Sequence, residues 1–358
     1  MSRIYLDHAA TTPLRPEARG AMLRGFEMWA NASSPHAEGR RSRAALEDAR
    51  ERVKTALGWD GEVIFTSGAS EALVIGLSRA KVDRRIVSAV EHDAVFAAAP
   101  DAEPLPLALR EPGSAQVDCE ALERMLAEPR RAVVAVQAIN SETGTVLLPY
   151  EGCPAVAMTR EAGGLFLADC SQSAGKVPLP DADMIVVSAH KLGGPIGIGA
   201  LLVRDFAMLD PVGGHERGYR RGTENLPAAL GFAAALEAGG IETWPTSYPD
   251  RYEFRDLLQR HGEVLRLGPQ CSHIVAVAHP RLSAAALLIR LDAMGFAVSA
   301  GSACSSGTLK RSRALESFRI REDVASRTIR ISIGWNTTRR ELESFAETWH
   351  ELARERAA

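Results

Sequence analysis

Short, continuously apolar segments alternate with helical patterns along the first two thirds of the chain. β-branched residues dominate the apolar segments, a pattern typical of strands that are buried on both faces of a parallel sheet. The predicted strands are Glu62–Thr66, Arg85–Val90, Ala132–Ile139, Gly164–Ala168 and Asp183–Ser188. The predicted helices are Arg40–Leu57, Ser70–Ala80, Cys119–Leu126 and Pro154–Ala162. This alternation predicts an α/β domain with a mostly parallel sheet.

The pattern changes at Ala238–Asp250, a stretch rich in glycine, proline and other helix breakers. The elements predicted after it are the strands Ser272–Ala278, Phe296–Ser299 and Thr328–Ile333 and the helices Ser283–Met294 and Arg339–Arg356. They predict a smaller α+β unit. We therefore expect a large domain over residues 16–239 and a small domain formed by residues 1–15 and 240–358.

Charge and cysteine content restrict the possible functions. The 358 residues include 42 Lys and Arg against 45 Asp and Glu, which gives a net charge of −3. This balance argues against direct contact with nucleic acid through a basic surface, and no apolar run reaches the about 18 residues of a membrane span. The five cysteines are widely spaced and form no C-x-x-C pair, which predicts neither a disulfide framework nor a zinc site. We expect a cytoplasmic protein without a secretion signal or membrane partner.

A lysine and an aspartate end two of the predicted strands. Lys191 follows the strand Asp183–Ser188, where an apolar setting favours the neutral amine that forms Schiff bases. Asp169 ends the preceding strand, 22 residues earlier, and could place a carboxylate against the ring nitrogen of pyridoxal phosphate (PLP). Gln172 could then donate a hydrogen bond to the ring oxygen. Alone, the lysine would fit a surface turn and the aspartate a helix cap.

Two further segments complete a candidate cofactor site. Gly68, Ala69 and Ser70 lie between a predicted strand and helix, where free N–H groups and the helix dipole favour a phosphate. His92 follows another strand and could stack on the cofactor ring and transfer protons near neutral pH. An ordinary capped turn and a structural histidine are the alternatives.

Two residues of the C-terminal part are candidates for substrate chemistry. Cys304 lies among small and polar residues, a setting that favours a reactive thiol over a packed core cysteine, with an ordinary loop residue as the alternative. Arg330 lies within the apolar strand Thr328–Ile333 and needs an anion, either a substrate carboxylate or a structural ion-pair partner.

Ten ordered blocks cover nearly the whole chain. They are Tyr5–Pro13, Asn31–His36, Phe65–Glu71, Glu91–His92, Asn140–Gly144, Ala168–Lys176, Ser188–Gly199, Gly213–Asn225, Ser299–Ser306 and Thr328–Gly334. Together they resemble the cysteine desulfurases, a branch of the class V aminotransferase family with PLP fold type I. The segment around Cys304 is similar to the subgroup that serves nitrogen fixation and housekeeping iron–sulfur assembly. The resemblance implies a seven-stranded, mostly parallel sheet in the large domain, a smaller α+β domain and a homodimer.

The resemblance also implies a role for each matching residue. The implied catalytic residues are Lys191, which binds PLP and removes the substrate Cα proton, Cys304, which accepts sulfur, and His92. The implied PLP-binding residues are Ala69, Ser70, His92, Ser141, Asp169, Gln172, Ser188, His190, Lys191 and, from the partner subunit, Thr223. The implied substrate-binding residues are Asn31, Asn140 and Arg330. No metal is implied.

The implied activity is conversion of L-cysteine to L-alanine with a persulfide on Cys304. The persulfide sulfur would pass to an acceptor protein, for iron–sulfur cluster assembly or tRNA thiolation. Two alternatives remain open: another PLP enzyme of this fold, such as a selenocysteine lyase, aminotransferase or epimerase, and a weakly active paralogue that acts as a partner subunit. Cys304 argues against an aminotransferase, which needs no nucleophilic thiol.

Several positions depart from the family pattern, among them Lys310-Arg311 in place of a usual Glu-Pro. Ser141 replaces an asparagine that normally helps to bind the cofactor's ring oxygen, and serine is shorter. Leu73 and Val74 replace polar residues after the phosphate-binding turn, and Ile196 replaces a lysine. These replacements affect the expected cofactor affinity and rate, while Lys191 and Cys304 are retained.

Overall fold

The computed structural model describes residues 3–300 and 312–355. The strands in these ranges are β1 (Ile4–Tyr5), β2 (Glu62–Thr66), β3 (Arg84–Ser88), β4 (Glu103–Leu105), β5 (Leu107–Ala108), β6 (Gln116–Val117), β7 (Ala132–Gln137), β8 (Leu165–Asp169), β9 (Met184–Ser188), β10 (Gly199–Val203), β11 (Glu263–Val264), β12 (Ile274–Ala278), β13 (Phe296–Ala297) and β14 (Thr328–Ser332).

The α-helices in the same ranges are α1 (Pro16–Phe26), α2 (Ala37–Leu57), α3 (Ala69–Ser78), α4 (Asp93–Ala98), α5 (Cys119–Leu126), α6 (Pro154–Glu161), α7 (Leu226–Glu237), α8 (Tyr248–Gln259), α9 (Ala284–Ala293), α10 (Arg313–Ser317), α11 (Glu322–Ala325) and α12 (Arg339–Arg354). Short 3₁₀ turns lie at Ala189–Lys191, Phe206–Met208, Glu216–Gly218 and Ile241–Thr243. No helix of the described ranges combines the length and apolar character that a membrane crossing requires.

A seven-stranded sheet forms the centre of the large unit, with the strand order β2-β10-β9-β8-β7-β3-β4. Only β10 runs antiparallel to its neighbours. Every residue of β7, β8, β9 and β10 is buried, because apolar clusters that include helices cover both sheet faces. The predicted α/β class and the mostly parallel, seven-stranded sheet are confirmed.

The sequence analysis missed several elements for identifiable reasons. Strand β10 begins at the last residue of the glycine-rich stretch 193–199, and the helix and strand breakers of that stretch hide the start of the apolar run. Helix α7 is buried almost all round, so it lacks the polar face from which a helical period is recognised. Helix α8 begins inside the stretch that we predicted to be a boundary, since Ser247 and Asp250 form a capping box at its start.

A second core forms beside the large sheet. Strands β11, β12 and β14 make a three-stranded antiparallel sheet, and its core includes side chains from α8, α9 and α12. The N-terminal strand β1 pairs with β13, and Leu6 is fully buried in this second core. The packing of Leu6 agrees with the grouping of residues 1–15 with the C-terminal part, whereas the exact boundaries stay a prediction.

The strand order decides where functional side chains can meet. The carboxyl ends of the adjacent parallel strands β3, β7, β8 and β9 lie along one edge of the sheet. Ligands of open α/β sheets bind beside such an edge. Residues that follow these four strands, although far apart in sequence, are therefore brought to one place.

Candidate active site

A cavity of about 740 Å³ lies at this edge. It brings together most of the residues that the sequence analysis selected. Those lining it are Ala69, Ser70, His92, Asn140, Ser141, Asp169, Gln172, Ser188, His190, Lys191 and Arg330. The departures Leu73 and Ile196 line it as well.

Lys191 ends the 3₁₀ turn that follows β9, and its side chain lines the cavity. The turn is held by a hydrogen bond from the Thr12 N–H to the His190 carbonyl at 2.8 Å. Burial lowers the pKa of the Lys191 ammonium, Arg330 adds to this, and Asp169 and Asp7 oppose it. A lowered pKa increases the share of the neutral amine, which is the nucleophilic and basic form.

Asp169 is buried at the end of β8. Its Oδ1 accepts hydrogen bonds from the N–H of Ser171 at 2.9 Å and from the Ser171 hydroxyl at 2.5 Å. The neighbouring Gln172 is anchored at both its side chain and its main chain. Its Nε2 donates to the Ala9 carbonyl at 2.9 Å, and its own carbonyl contacts Lys176 Nζ and His273 Nε2 at 3.0 Å each. The polar wall beside Lys191 is therefore held from several sides.

The start of α3 forms an anion-binding end of the cavity. Gly68 precedes the helix with a φ of 152° and offers no side-chain cap, so the first N–H groups of α3 remain free. A Cβ at Gly199 would lie 2.9 Å from Gly68, which explains glycine at the point where β10 meets this turn. The Ser188 hydroxyl is buried without a hydrogen-bond partner. These groups suit a phosphate.

His190 and His92 are both neutral imidazoles near pH 7. Burial, with Lys191 and Lys176, lowers the pKa of His190 to about 4. Burial and then Lys191 also lower the pKa of His92. His92 Nδ1 accepts a hydrogen bond from the Ala94 N–H at 3.1 Å, which places the ring proton of the neutral form on Nε2. Nε2 of His92 is therefore free to donate to a ligand.

Arg330 is buried and forms an ion pair that the sequence analysis did not identify. Its Nη2 donates to Asp7 Oδ1 at 2.8 Å, and its Nη1 donates to the Ser141 carbonyl at 3.0 Å. Its Nε is buried and has no partner. The structural ion pair is thus present, and one donor remains for a second anion. Asp7 lies in the block Tyr5–Pro13, but only the folded chain places that block beside β14.

Four buried polar atoms without partners belong to residues of the cavity wall: Glu91 Oε2, Gln172 Oε1, Ser188 Oγ and Arg330 Nε. Unpartnered buried polar atoms are costly and uncommon in folded proteins. Here they surround a lysine with a lowered pKa, a carboxylate and an uncapped helix N-terminus. This donor set fits PLP, which needs a lysine, an anion at the ring nitrogen and a phosphate site.

Two predicted site residues that the structure describes, Asn31 and Thr223, are not part of the cavity wall. Asn31 is exposed, and its Oδ1 accepts from the Ser33 N–H at 2.8 Å. Thr223 is exposed in the segment before α7. Cys304 lies outside the described residues. The nearest described position after it, Ser312, lines the cavity and donates to Glu142 Oε2 at 2.6 Å.

Comparison with known proteins identifies the family. The model of the class-V aminotransferase family matches residues 4–345, nearly the whole chain. The chain belongs to the class-V aminotransferase family. A cysteine desulfurase of Cereibacter sphaeroides is 37% identical over 375 residues, which cover 97% of this chain and 95% of the relative. The resemblance seen in the sequence blocks is confirmed.

Solved structures agree with this assignment. A structure described as a NifS-like protein superposes with a TM-score of 0.85 at 27% identity, covering 98% of this chain and 99% of the other. Another, described as SspA in complex with cysteine, has a TM-score of 0.77 at 26% identity and covers 94% and 100% of the two chains. Enzymes of this family are generally PLP-dependent, in agreement with the cavity's donor set.

We expect the substitution Ser141→Asn to tighten PLP binding by about two- to tenfold, since one additional hydrogen bond contributes about 0.5–1.5 kcal/mol. Ser141 lines the cavity, and its carbonyl is already fixed by Arg330. Titration of the PLP-free full chain with PLP, followed by protein fluorescence, measures the affinity. Ser141→Ala is the matched control and should not tighten binding. An unchanged affinity in Ser141→Asn would show that another group already fills this role.

Proposed function

We propose that this chain is a PLP-dependent cysteine desulfurase that converts L-cysteine to L-alanine and retains the sulfur as a persulfide on Cys304. The observation that carries the proposal is the meeting of Lys191, Asp169 and the uncapped start of α3 in one cavity. Relatives with this activity at 37% identity over nearly the whole chain support it.

The residues of the cavity would hold PLP at both ends. Lys191 would attach it covalently, Asp169 would face the ring nitrogen, and the start of α3 with Ser188 would bind the phosphate. The neutral His92 ring would pack against the cofactor ring. When bound, PLP supplies an electron sink for charge that develops on the substrate Cα.

The remaining groups bind and deprotonate the substrate. Arg330, already held by Asp7 and Ser141, offers its free Nε to the substrate carboxylate. Lys191 would take the Cα proton of the bound substrate, and its lowered pKa favours the basic form that this step requires. The neutral His92 ring carries its proton on Nε2 and can donate a hydrogen bond from it within the cavity.

Sulfur transfer requires a thiolate. Cys304 Sγ attacks the substrate sulfur, so that an S–S bond forms while the Cβ–S bond breaks. The electron pair of the broken bond stays with the carbon fragment, which gains a proton at Cβ, recovers a proton at Cα and leaves as alanine. The sequence places Cys304 four residues after Ala300, and four residues span at most about 14 Å. Ser299, which precedes Ala300, is paired with the Arg330 main chain, and Arg330 lines the cavity.

A homodimer with L-cysteine as substrate and a separate persulfide acceptor protein completes the proposal. The segment with Thr223 is anchored by a buried ion pair between Glu216 and Arg50 at 2.7 Å, yet Thr223 itself is exposed. Glu216 adopts a φ of 47°, a strained conformation that is common at functional sites. Leu23, Phe26 and Trp29, at and after the end of α1, add exposed apolar surface for association.

A cytoplasmic location is also part of the proposal. The four described cysteines, Cys119, Cys153, Cys170 and Cys271, are free thiols, which agrees with a reducing compartment. The proposal also includes no membrane partner and no direct nucleic-acid contact, an expectation that rests on the balanced charge and the short apolar runs of the sequence.

The test measures alanine and sulfide released from L-cysteine by the PLP-loaded full chain with a thiol reductant. We expect equal amounts of both products from the wild-type chain and at least about tenfold less from Cys304→Ser, because a hydroxyl is a far weaker nucleophile than a thiolate. Cys119→Ser is the matched control and should keep full activity, since Cys119 does not line the cavity.

Three results would contradict the proposal. Unchanged release from Cys304→Ser would exclude the persulfide on Cys304. Release from selenocysteine alone would favour a selenocysteine lyase. A chain that binds PLP but forms no product from either amino acid would favour the inactive paralogue.

A further inference from the structure

A second carboxyl group of the cavity wall has no role in the mechanism above. Glu91 follows β3 directly before His92 and is only 4% exposed. Its Oε1 accepts a hydrogen bond from the Gln137 N–H at 2.7 Å, while its Oε2 is buried without a partner. No lysine or arginine pairs with it in the described chain.

The position of Glu91 is set by the ends of three neighbouring strands. Gln137 ends β7, and its side chain donates to the Val90 carbonyl, which Asn140 Nδ2 also contacts at 3.2 Å. Across the sheet, Gln137 is paired with Asp169 at the end of β8. Glu91 and Asp169 therefore lie on either side of Gln137, and both line the cavity.

Two buried carboxyl groups in one cavity wall cannot both be ionised without a large cost in free energy. Burial is the main cause that raises the pKa of Glu91 well above its ordinary value, and the charge of Asp169 raises it further. The Gln137 N–H and the Ser88 side chain oppose this shift. Besides Asp169, the titratable groups that line the cavity are Glu71, His92, Asp93, Glu142, His190, Lys191, Arg313 and Arg330. None of them is among the groups that lower the pKa of Glu91.

We propose that Glu91 is a positioning residue of the cofactor site: its neutral carboxyl group occupies the wall between His92 and Asp169 and leaves Asp169 as the single anion for the ring nitrogen. The role rests on the PLP-binding part of the proposed function. Glu91 acts through the placement of its neighbours His92 and Asp169, and its Oε2 lies buried at the cavity wall.

The test compares Glu91→Gln with the wild type as PLP-loaded full chains. Glutamine keeps the shape and the oxygen that Gln137 needs, but it cannot ionise. Because the folded chain raises the pKa of Glu91, the wild type loses stability as pH rises above the ordinary carboxyl pKa. We therefore expect the midpoint of thermal unfolding of Glu91→Gln to rise relative to that of the wild type as pH increases above the ordinary carboxyl pKa of 4.5. Glu142 is present in both proteins, so its contribution cancels.

The second measurement is PLP affinity at neutral pH. We expect Glu91→Gln to bind PLP within about threefold of the wild type, whereas loss of an anion would weaken binding by about tenfold or more, the equivalent of one pKa unit. Glu91→Leu removes the acceptor of the Gln137 N–H and should weaken binding clearly. The exposed Glu263 supplies the control Glu263→Gln, with no effect on either measurement.

Two outcomes would overturn the inference. One is a constant difference in unfolding midpoint across the pH range, which would show that Glu91 is ionised throughout. The other is a tenfold loss of PLP affinity in Glu91→Gln. The stability measurement needs no turnover, so its result is distinguishable from a failure of the desulfurase assignment.

Discussion

The substitution Lys191→Ala abolishes alanine formation, with an expected loss of about 10³-fold or more, since a positioned general base alone contributes about 10²–10⁴-fold. The substitution also removes the amine that we propose attaches PLP covalently. Alanine release from L-cysteine measures the first effect. Borohydride reduction followed by mass spectrometry of the intact chain measures the second, and the variant should carry no covalent PLP.

Lys81→Ala is the matched control, because Lys81 is exposed and does not line the cavity. It should retain both the activity and the covalent PLP. If Lys191→Ala still carried PLP after reduction, another lysine would be the attachment site, and Lys176 would be the first to test because it is buried beside the same wall.

The substitution Lys176→Met raises stability at and below neutral pH. Burial, and then Lys191, lowers the pKa of Lys176 from 10.5 to about 7. A base whose pKa is lowered by folding costs stability below its folded pKa, and the cost disappears as pH rises from about 7 to 10.5. The difference corresponds to roughly 5 kcal/mol at low pH. Methionine removes this cost, while His273 still contacts the Gln172 carbonyl.

Urea unfolding of the full chain between pH 6 and 10 measures the prediction. The free energy of unfolding of Lys176→Met should exceed that of the wild type at pH 6, and the advantage should shrink through the alkaline range. The partly exposed Lys54 offers the control Lys54→Met, whose effect should not change with pH in this way. A variant that is equally destabilised at pH 6 and pH 9 would show that the Lys176 ammonium has a stabilising partner.

Much of the central fold could be predicted because its signals are local. The segments that form β2, β3, β7, β8 and β9 are buried on both faces of the sheet. Each is therefore a short, uninterrupted run of apolar, largely β-branched residues. The elements that were missed are those whose local sequence does not indicate their structure. Helix α7 is apolar all round, and β10 begins at the end of a glycine-rich stretch.

The candidate site was predictable to the extent that its residues directly follow strands. Asp169, Lys191 and His92 lie at or just after strand ends, and parallel strands bring such positions to one edge. Asp7 was missed because its partner, Arg330, is 323 residues away in sequence. Glu91 was noted only as a neighbour of His92, since nothing in its local sequence shows that its Oε2 is buried without a partner.

The sequence by itself determined the fold class and the family, and it selected the lysine and carboxylate of the candidate site. These depend on residue type and short-range order, which a chain carries in any conformation. The tertiary structure decided which charged groups are paired and which are not. It pairs Arg330 with Asp7, leaves Glu91 without a cation and buries Lys176 beside Gln172. Charge state depends on desolvation and on neighbours in space, and both arise only when distant segments pack together.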